Sequence, residues 1–148
     1  AAARLIRDLP QRPRRTIRIL LAGAEENGVH GGAAYARTHA NENHIVGAES
    51  DFGAGRVWRF RSRFADQALP HARAIQRQLA DISDLRTAGM PVVDLSQDGL
   101  DYFDLHHTAD DTLDKIDPEA LRQNVAAFAV FAYLAAENDG DFRAPPAQ

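Results

Sequence analysis

Two adjacent carboxylates (Glu25-Glu26), a lone Asp51 and a pair of histidines (His106-His107) are the residues here whose types best suit chemistry. In a tight turn adjacent side chains diverge. One carboxylate of a Glu-Glu pair can then bind a metal while its neighbour reaches the water that the metal activates. Metal-assisted hydrolysis needs that division of labour, a Lewis acid that lowers the water's pKa and a base that takes its proton. A bare Glu-Glu is more often just two solvated carboxylates favoured by the N-terminus of a following helix. Because the chain has no cysteine, disulfides, thiolate zinc fingers and cysteine nucleophiles are excluded, and a transition metal must be held by His and carboxylates.

The elements that must position these groups alternate between strand and helix. Ala1–Leu9 reads as a helix closed by Pro10 and Pro13. Thr16–Ala22 is β-branched and apolar and turns at Gly23, so a buried strand is expected there, followed by a helix over Gly28–His39. His44–Ala48 is a second short strand, leading into Glu49-Ser50-Asp51 and a turn at Gly53 and Gly55. Val57–Phe64 alternates, with Trp58, Phe60 and Phe64 on one face and Arg59, Arg61 and Arg63 on the other. A helix over Pro70–Leu79 and a third buried strand at Met90–Leu95 follow. Asp117-Pro118-Glu119 opens the last helix with an N-cap, a proline at the first helical position and an acid in the first turn. Such alternation predicts an α/β three-layer sandwich with a mostly parallel sheet, its active site in loops at the carboxyl ends of strands. Residues 144–148 read as a frayed, Pro-rich tail.

A 148-residue chain that is 45% hydrophobic and 26% charged is expected to be one globular domain. No apolar run reaches the roughly 20 residues that span a bilayer, so no membrane partner is expected. The net charge of −4 conceals an Arg-rich start and an Asp-rich stretch at 94–117, and its sign argues against nucleic acid as the main partner.

Ile19-Leu-Leu-Ala-Gly-Ala-Glu-Glu-Asn-Gly28 resembles the metal-binding strand and turn of the di-zinc exopeptidases, the family of bacterial secreted leucyl aminopeptidases and plasma glutamate carboxypeptidase. Glu49-Ser50-Asp51 and His106-His-Thr-Ala-Asp-Asp-Thr-Leu-Asp-Lys-Ile-Asp117 resemble it further, in the same order, and the likeness spans about residues 15–137. It implies that Glu25 is the general base, that Glu26 and His107 hold one zinc and that Asp51 holds the other. His106 is then a neighbour and not a ligand, and Asp111 orients the His107 loop. The implied activity is hydrolysis of a peptide bond by zinc-activated water, as an aminopeptidase or a dipeptidase/carboxypeptidase. The implied location is periplasmic or secreted.

The family pattern also has an upstream His-x-Asp and a bridging Asp, and no such motif stands before Glu25. The expectation is therefore the C-terminal part of one zinc peptidase domain, inactive alone, with partial or no zinc. It would pair with the missing N-terminal half or form a homo-oligomer through exposed strand edges. Near Asp81–Arg86 the loop before the last core strand is shorter than in the family.

Other readings carry less. Two on the same fold are a metal-free interaction module and a glutaminyl-cyclase-like acyltransferase. Asp94-x-Ser96-x-Asp98-Gly99 starts like a calcium loop, but the twelfth position, which should be a bidentate Glu, is Leu105. Arg56–Phe64 interleaves basic and aromatic residues as single-strand binders do, a pattern an amphipathic strand shares. One of its arginines could instead hold a substrate carboxylate. There is no Gly-x-Ser-x-Gly elbow and no phosphate-cradling glycine motif.

Overall fold

The computed structural model describes residues 1–64, 66–71 and 91–143. The last helix, α4 (Pro118–Glu137), starts as its sequence dictates, with the Asp117 carboxylate accepting from the Glu119 amide at 2.9 Å and Pro118 in the first turn. Its far end is closed by Arg15, whose guanidinium donates to the carbonyls of Ala135, Asn138 and Gly140. A cation there meets both the unsatisfied carbonyls and the negative end of the helix dipole. Helix α1 (Ala2–Arg7) lies against α4 and buries Ile6. Helices α2 (His30–Thr38) and α3 (Tyr102–Leu105) carry no buried residues.

Three strands form one sheet in the order β1-β3-β2, where β1 is Gly47–Glu49, β2 is Val57–Arg63 and β3 is Val92–Gln97. β1 runs parallel to β3 and β2 antiparallel to it. Among the described residues the sheet is thus mixed rather than mostly parallel. The antiparallel pairing sets Arg61 directly opposite Asp94, where the two side chains form an ion pair at 3.0 Å. This also places Asp94 and Ser96 of the calcium-like run on a strand. Phe60, Ser62 and Phe64 point inward, and with Val93, Leu95, Phe131, Ala135 and Phe142 they make the core between sheet and α4.

Two strand expectations need correction. Trp58 does not share the inner face with Phe60 and Phe64, for its side chain is 55% exposed. The register slips between Val57 and Arg59, and such a bulge turns one side chain to the other face. The Trp58 indole instead donates to the Gln97 carbonyl at 3.2 Å, with the Arg59 guanidinium over its ring. Thr16–Ala22 is neither buried nor paired in the sheet, and Leu21 is 92% exposed. A strand needs a neighbour for its amides and carbonyls, and no described residue supplies one.

The strand expected at His44–Ala48 is observed at Gly47–Glu49, with Ile45 and Val46 packed on the core just before it. Most of the expected Pro70–Leu79 helix, the short loop near 81–86, Met90 and the tail at 144–148 lie outside the described residues.

Candidate active site

Glu25 and Glu26 sit on a turn folded back on itself, with the amides of Gly28 and Val29 both donating to the Glu25 carbonyl at 3.0 and 2.8 Å. Its base is closed by the Gly31 amide on the Gly23 carbonyl at 2.9 Å. The backbone around it is strained. Ala24 (φ 57°), Val29 (φ 58°) and His107 (φ 60°) are the non-glycine residues with positive φ among those described. The left-handed region costs an L-residue on the order of 1 kcal/mol or more, worst when β-branched like Val29. Two of these residues bracket the Glu-Glu turn and the third is His107 itself. Strained positions of this kind cluster at active sites and ligand clamps.

His107 reaches back across the chain so that its Nε2 lies 2.9 Å from the Glu26 Oε1. His106 joins them, and the candidate ligand atoms of Glu26, His106 and His107 all lie within 4.8 Å of one another. Two donors held about 2.0–2.1 Å from a tetrahedral zinc would stand roughly 3.3 Å apart, so the pair needs almost no movement to share one ion. Imidazole nitrogen and carboxylate oxygen are also the donors that zinc accepts. The residues present therefore fit the metal.

Asp51 is not part of that three-residue group, but it faces the same space. The phenol of Tyr102 is pushed above its ordinary value first by desolvation, then by the carboxylates of Asp51, Glu26, Asp111 and Glu25. Four acids from three separate stretches of the chain thus act on one hydroxyl, which stays protonated and a donor. Tyr102 is also the middle of a stack of rings. Phe52 lies on it at 4.1 Å, it lies on His106 at 4.6 Å, and His106 lies on His107 at 3.6 Å, with interplanar angles of 23–25°. The stack joins the loop that follows Asp51 to the histidine beside Glu26.

Asp111 makes no side-chain hydrogen bond among the described residues; its loop is held by its threonines instead. The Thr108 hydroxyl donates to the Leu105 carbonyl at 2.6 Å, and the Thr112 hydroxyl donates to Asp114 at 2.6 Å, drawing that carboxyl below its usual range. Asp111, His106, Tyr102 and Phe52 line a cleft of about 600 Å³ beside the acids. Sequence reading set His106 aside and passed over Tyr102. The one available signal for either was its place in Tyr102–His107, six residues with four rings.

A family model described as "Peptidase family M28" matches residues 1–52. Carboxypeptidase Q of Mus musculus is 30% identical over 154 residues, covering 93% of this chain and 33% of its own. Carboxypeptidase Q of Homo sapiens is 30% identical over 152 residues, covering 92% and 32%. The crystal structure of a peptidase M28 precursor from Shewanella amazonensis SB2B superposes with a TM-score of 0.90 at 45% identity, covering 99% of this chain and 37% of that one. The chain thus spans about a third of the length of the curated relatives it matches.

Proposed function

The chain belongs to peptidase family M28, and from that premise we propose that it is part of a zinc-dependent exopeptidase domain. In this reading Glu26 and His107 hold one zinc, Asp51 holds a second, and Glu25 is the general base. The observation that carries it is the meeting of Glu26 and His107 at 2.9 Å across 81 positions of sequence. A solvated surface pair has no reason to be built on two strained turns.

Zinc, when bound, polarises the scissile carbonyl and acidifies a water. In this reading Glu25, which precedes Glu26 on the same turn, is the group that reaches the water. It takes a proton from the attacking water and delivers it to the leaving amine. The Thr108–Thr112 turn keeps His107 aimed at Glu26, and Asp111 lines the cleft beside it. Tyr102, a neutral donor among acids, keeps His106 in plane by stacking. The relatives are named carboxypeptidases, which favours the dipeptidase or carboxypeptidase side over an aminopeptidase. The remaining ligands, a three-layer sandwich with a mostly parallel sheet, and a periplasmic or secreted location are proposals for the longer protein.

In the longer protein that carries this sequence, Glu25→Gln is expected to lower kcat by about 10²–10⁴-fold with metal content unchanged. His107→Ala should lose metal as well as rate, as read by elemental analysis. Residues 1–148 alone should show little or no hydrolysis of dipeptides or aminoacyl-p-nitroanilides. Full activity after Glu25→Gln would sink the assignment of the base.

A further inference from the structure

Behind the cleft, the loop Gly53–Arg56 that leads into β2 has no regular secondary structure, yet the carbonyls of Gly53, Gly55 and Arg56 are all held. Gln97 donates to the Gly53 carbonyl at 2.7 Å, and Asn124 to the Gly55 carbonyl at 3.0 Å. The Asp98 amide donates to the Arg56 carbonyl at 2.8 Å. Gln123 takes both polar groups of Val57, accepting from its N–H at 2.8 Å and donating to its carbonyl at 2.9 Å. Gln97 and Asn124 are buried, and a polar side chain is buried only where its hydrogen bonds are made. Gly55 lies so close to the Asp98 carbonyl that a Cβ there would overlap it. The positive φ of Gly53 (73°) makes the turn.

Arg56 is the one charged side chain on this fixed loop, and it lines the same cleft as His106 and Tyr102. Among the described residues its guanidinium has no ion pair and no hydrogen bond. Two of the cleft's carboxylates are already engaged by backbone, Asp98 by the Leu100 amide at 3.2 Å and Asp117 by the Glu119 amide. The cleft's other cation, Lys115, stands 3.7 Å from Asp114. A rigid shelf bearing an unengaged planar fork of donors suits a carboxylate, which a guanidinium can grip with two parallel hydrogen bonds.

We infer that Arg56 binds the free α-carboxylate of the peptide substrate, so that the enzyme takes short peptides with an open C-terminus. This rests on the peptidase reading above and adds to it the residue that reads the free end of the substrate.

The test uses the longer natural protein, assayed on a dipeptide and on the same dipeptide with its C-terminus amidated. The unmodified enzyme should favour the free acid by about tenfold or more in kcat/KM. Arg56→Ala should bring that ratio close to one, acting mainly by raising KM for the acid. Arg56→Lys should keep part of the preference, because it retains the charge and loses the fork. Equal turnover of acid and amide by the unmodified enzyme would overturn the inference without needing any variant to fold. So would a preference that survives a folded Arg56→Ala. Either result leaves the peptidase reading standing, whereas no hydrolysis of any peptide would overturn both.

Discussion

The half of the molecule made by β2, β3 and α4 and the segment that leads into Glu25-Glu26 are built on opposite terms. In the first, Phe60, Phe64, Val93, Leu95 and Phe131 face one another and are buried. In the second, Ile19, Leu20 and Leu21 are just as apolar and lie exposed. That segment is held by its ends and by polar contacts. The Arg15 amide donates to the Ala136 carbonyl at 3.2 Å, and Arg18 donates to the Tyr35 hydroxyl at 2.9 Å and to Glu42 at 2.6 Å. The candidate site straddles the two, with Asp51, His106 and His107 attached to the packed half and Glu25 and Glu26 to the exposed one. Burial of apolar surface is the main stabilising term available to a chain. On the reading that this chain is part of a longer domain, the difference locates where the rest of that domain has most to contribute.

The largest expected effect tests that contrast directly. In residues 1–148, Phe131→Ala should cost about 3–5 kcal/mol by chemical denaturation. Leu21→Ala in the same chain should change stability by no more than about 0.5 kcal/mol. In the longer protein, Leu21→Ala should instead cost about 2–5 kcal/mol. If Leu21 mattered equally little in both, the segment would be ordinary surface and the comparison would fail.

A smaller effect tests how firmly the packed half holds its part of the site. Asn124→Ala leaves the Gly55 carbonyl without its partner and should cost about 1–3 kcal/mol. Amide exchange should then quicken at Arg56 and Val57 before it does so in the core strands. Uniform quickening would show that the loop is not an independent unit.

The smallest effect is electrostatic. Arg143 holds the Asp141 carboxyl down at about 2, chiefly through side-chain and backbone hydrogen bonds. A carboxyl whose folded pKa is depressed stabilises the fold above its unfolded value, near 3.9, and that contribution is lost as pH falls towards about 2. Asp141→Asn should flatten the decline in stability across that window. The change should be small, because the Asp141 side chain is 52% exposed and that of Arg143 38%, so solvent screens the pair.

What could be read from the sequence was whatever rests on neighbours in the chain. The start of α4 follows from Asp117-Pro118, and the inward Phe60 and Phe64 from period-two alternation. Glu25, Glu26, Asp51 and His107 were named from the resemblance to the di-zinc exopeptidases, and of these four the structure brings Glu26 and His107 into contact. What escaped depends on partners distant in sequence. Nothing near Trp58 announces the bulge, which is decided by how β2 meets β3. An apolar, β-branched run such as Thr16–Ala22 states a preference for pairing and cannot supply the neighbour. Gln97, Gln123 and Asn124 look like ordinary surface amides until the carbonyls they satisfy are seen. The joining of His106 to Glu26 and His107 comes with a left-handed backbone at His107, and the fold rather than the local sequence decides which residue of that loop adopts it.

The stack from Phe52 through Tyr102 and His106 to His107 also acts as a spacer. Aromatic rings in face contact have a thickness set by their electron clouds and compress very little. The column ties the loop that follows Asp51 to the turn that carries His107, so the offset between these two segments is set by a count of rings rather than by the give of a loop. An aliphatic side chain at Tyr102 would remove a rung and let the two segments shift against each other.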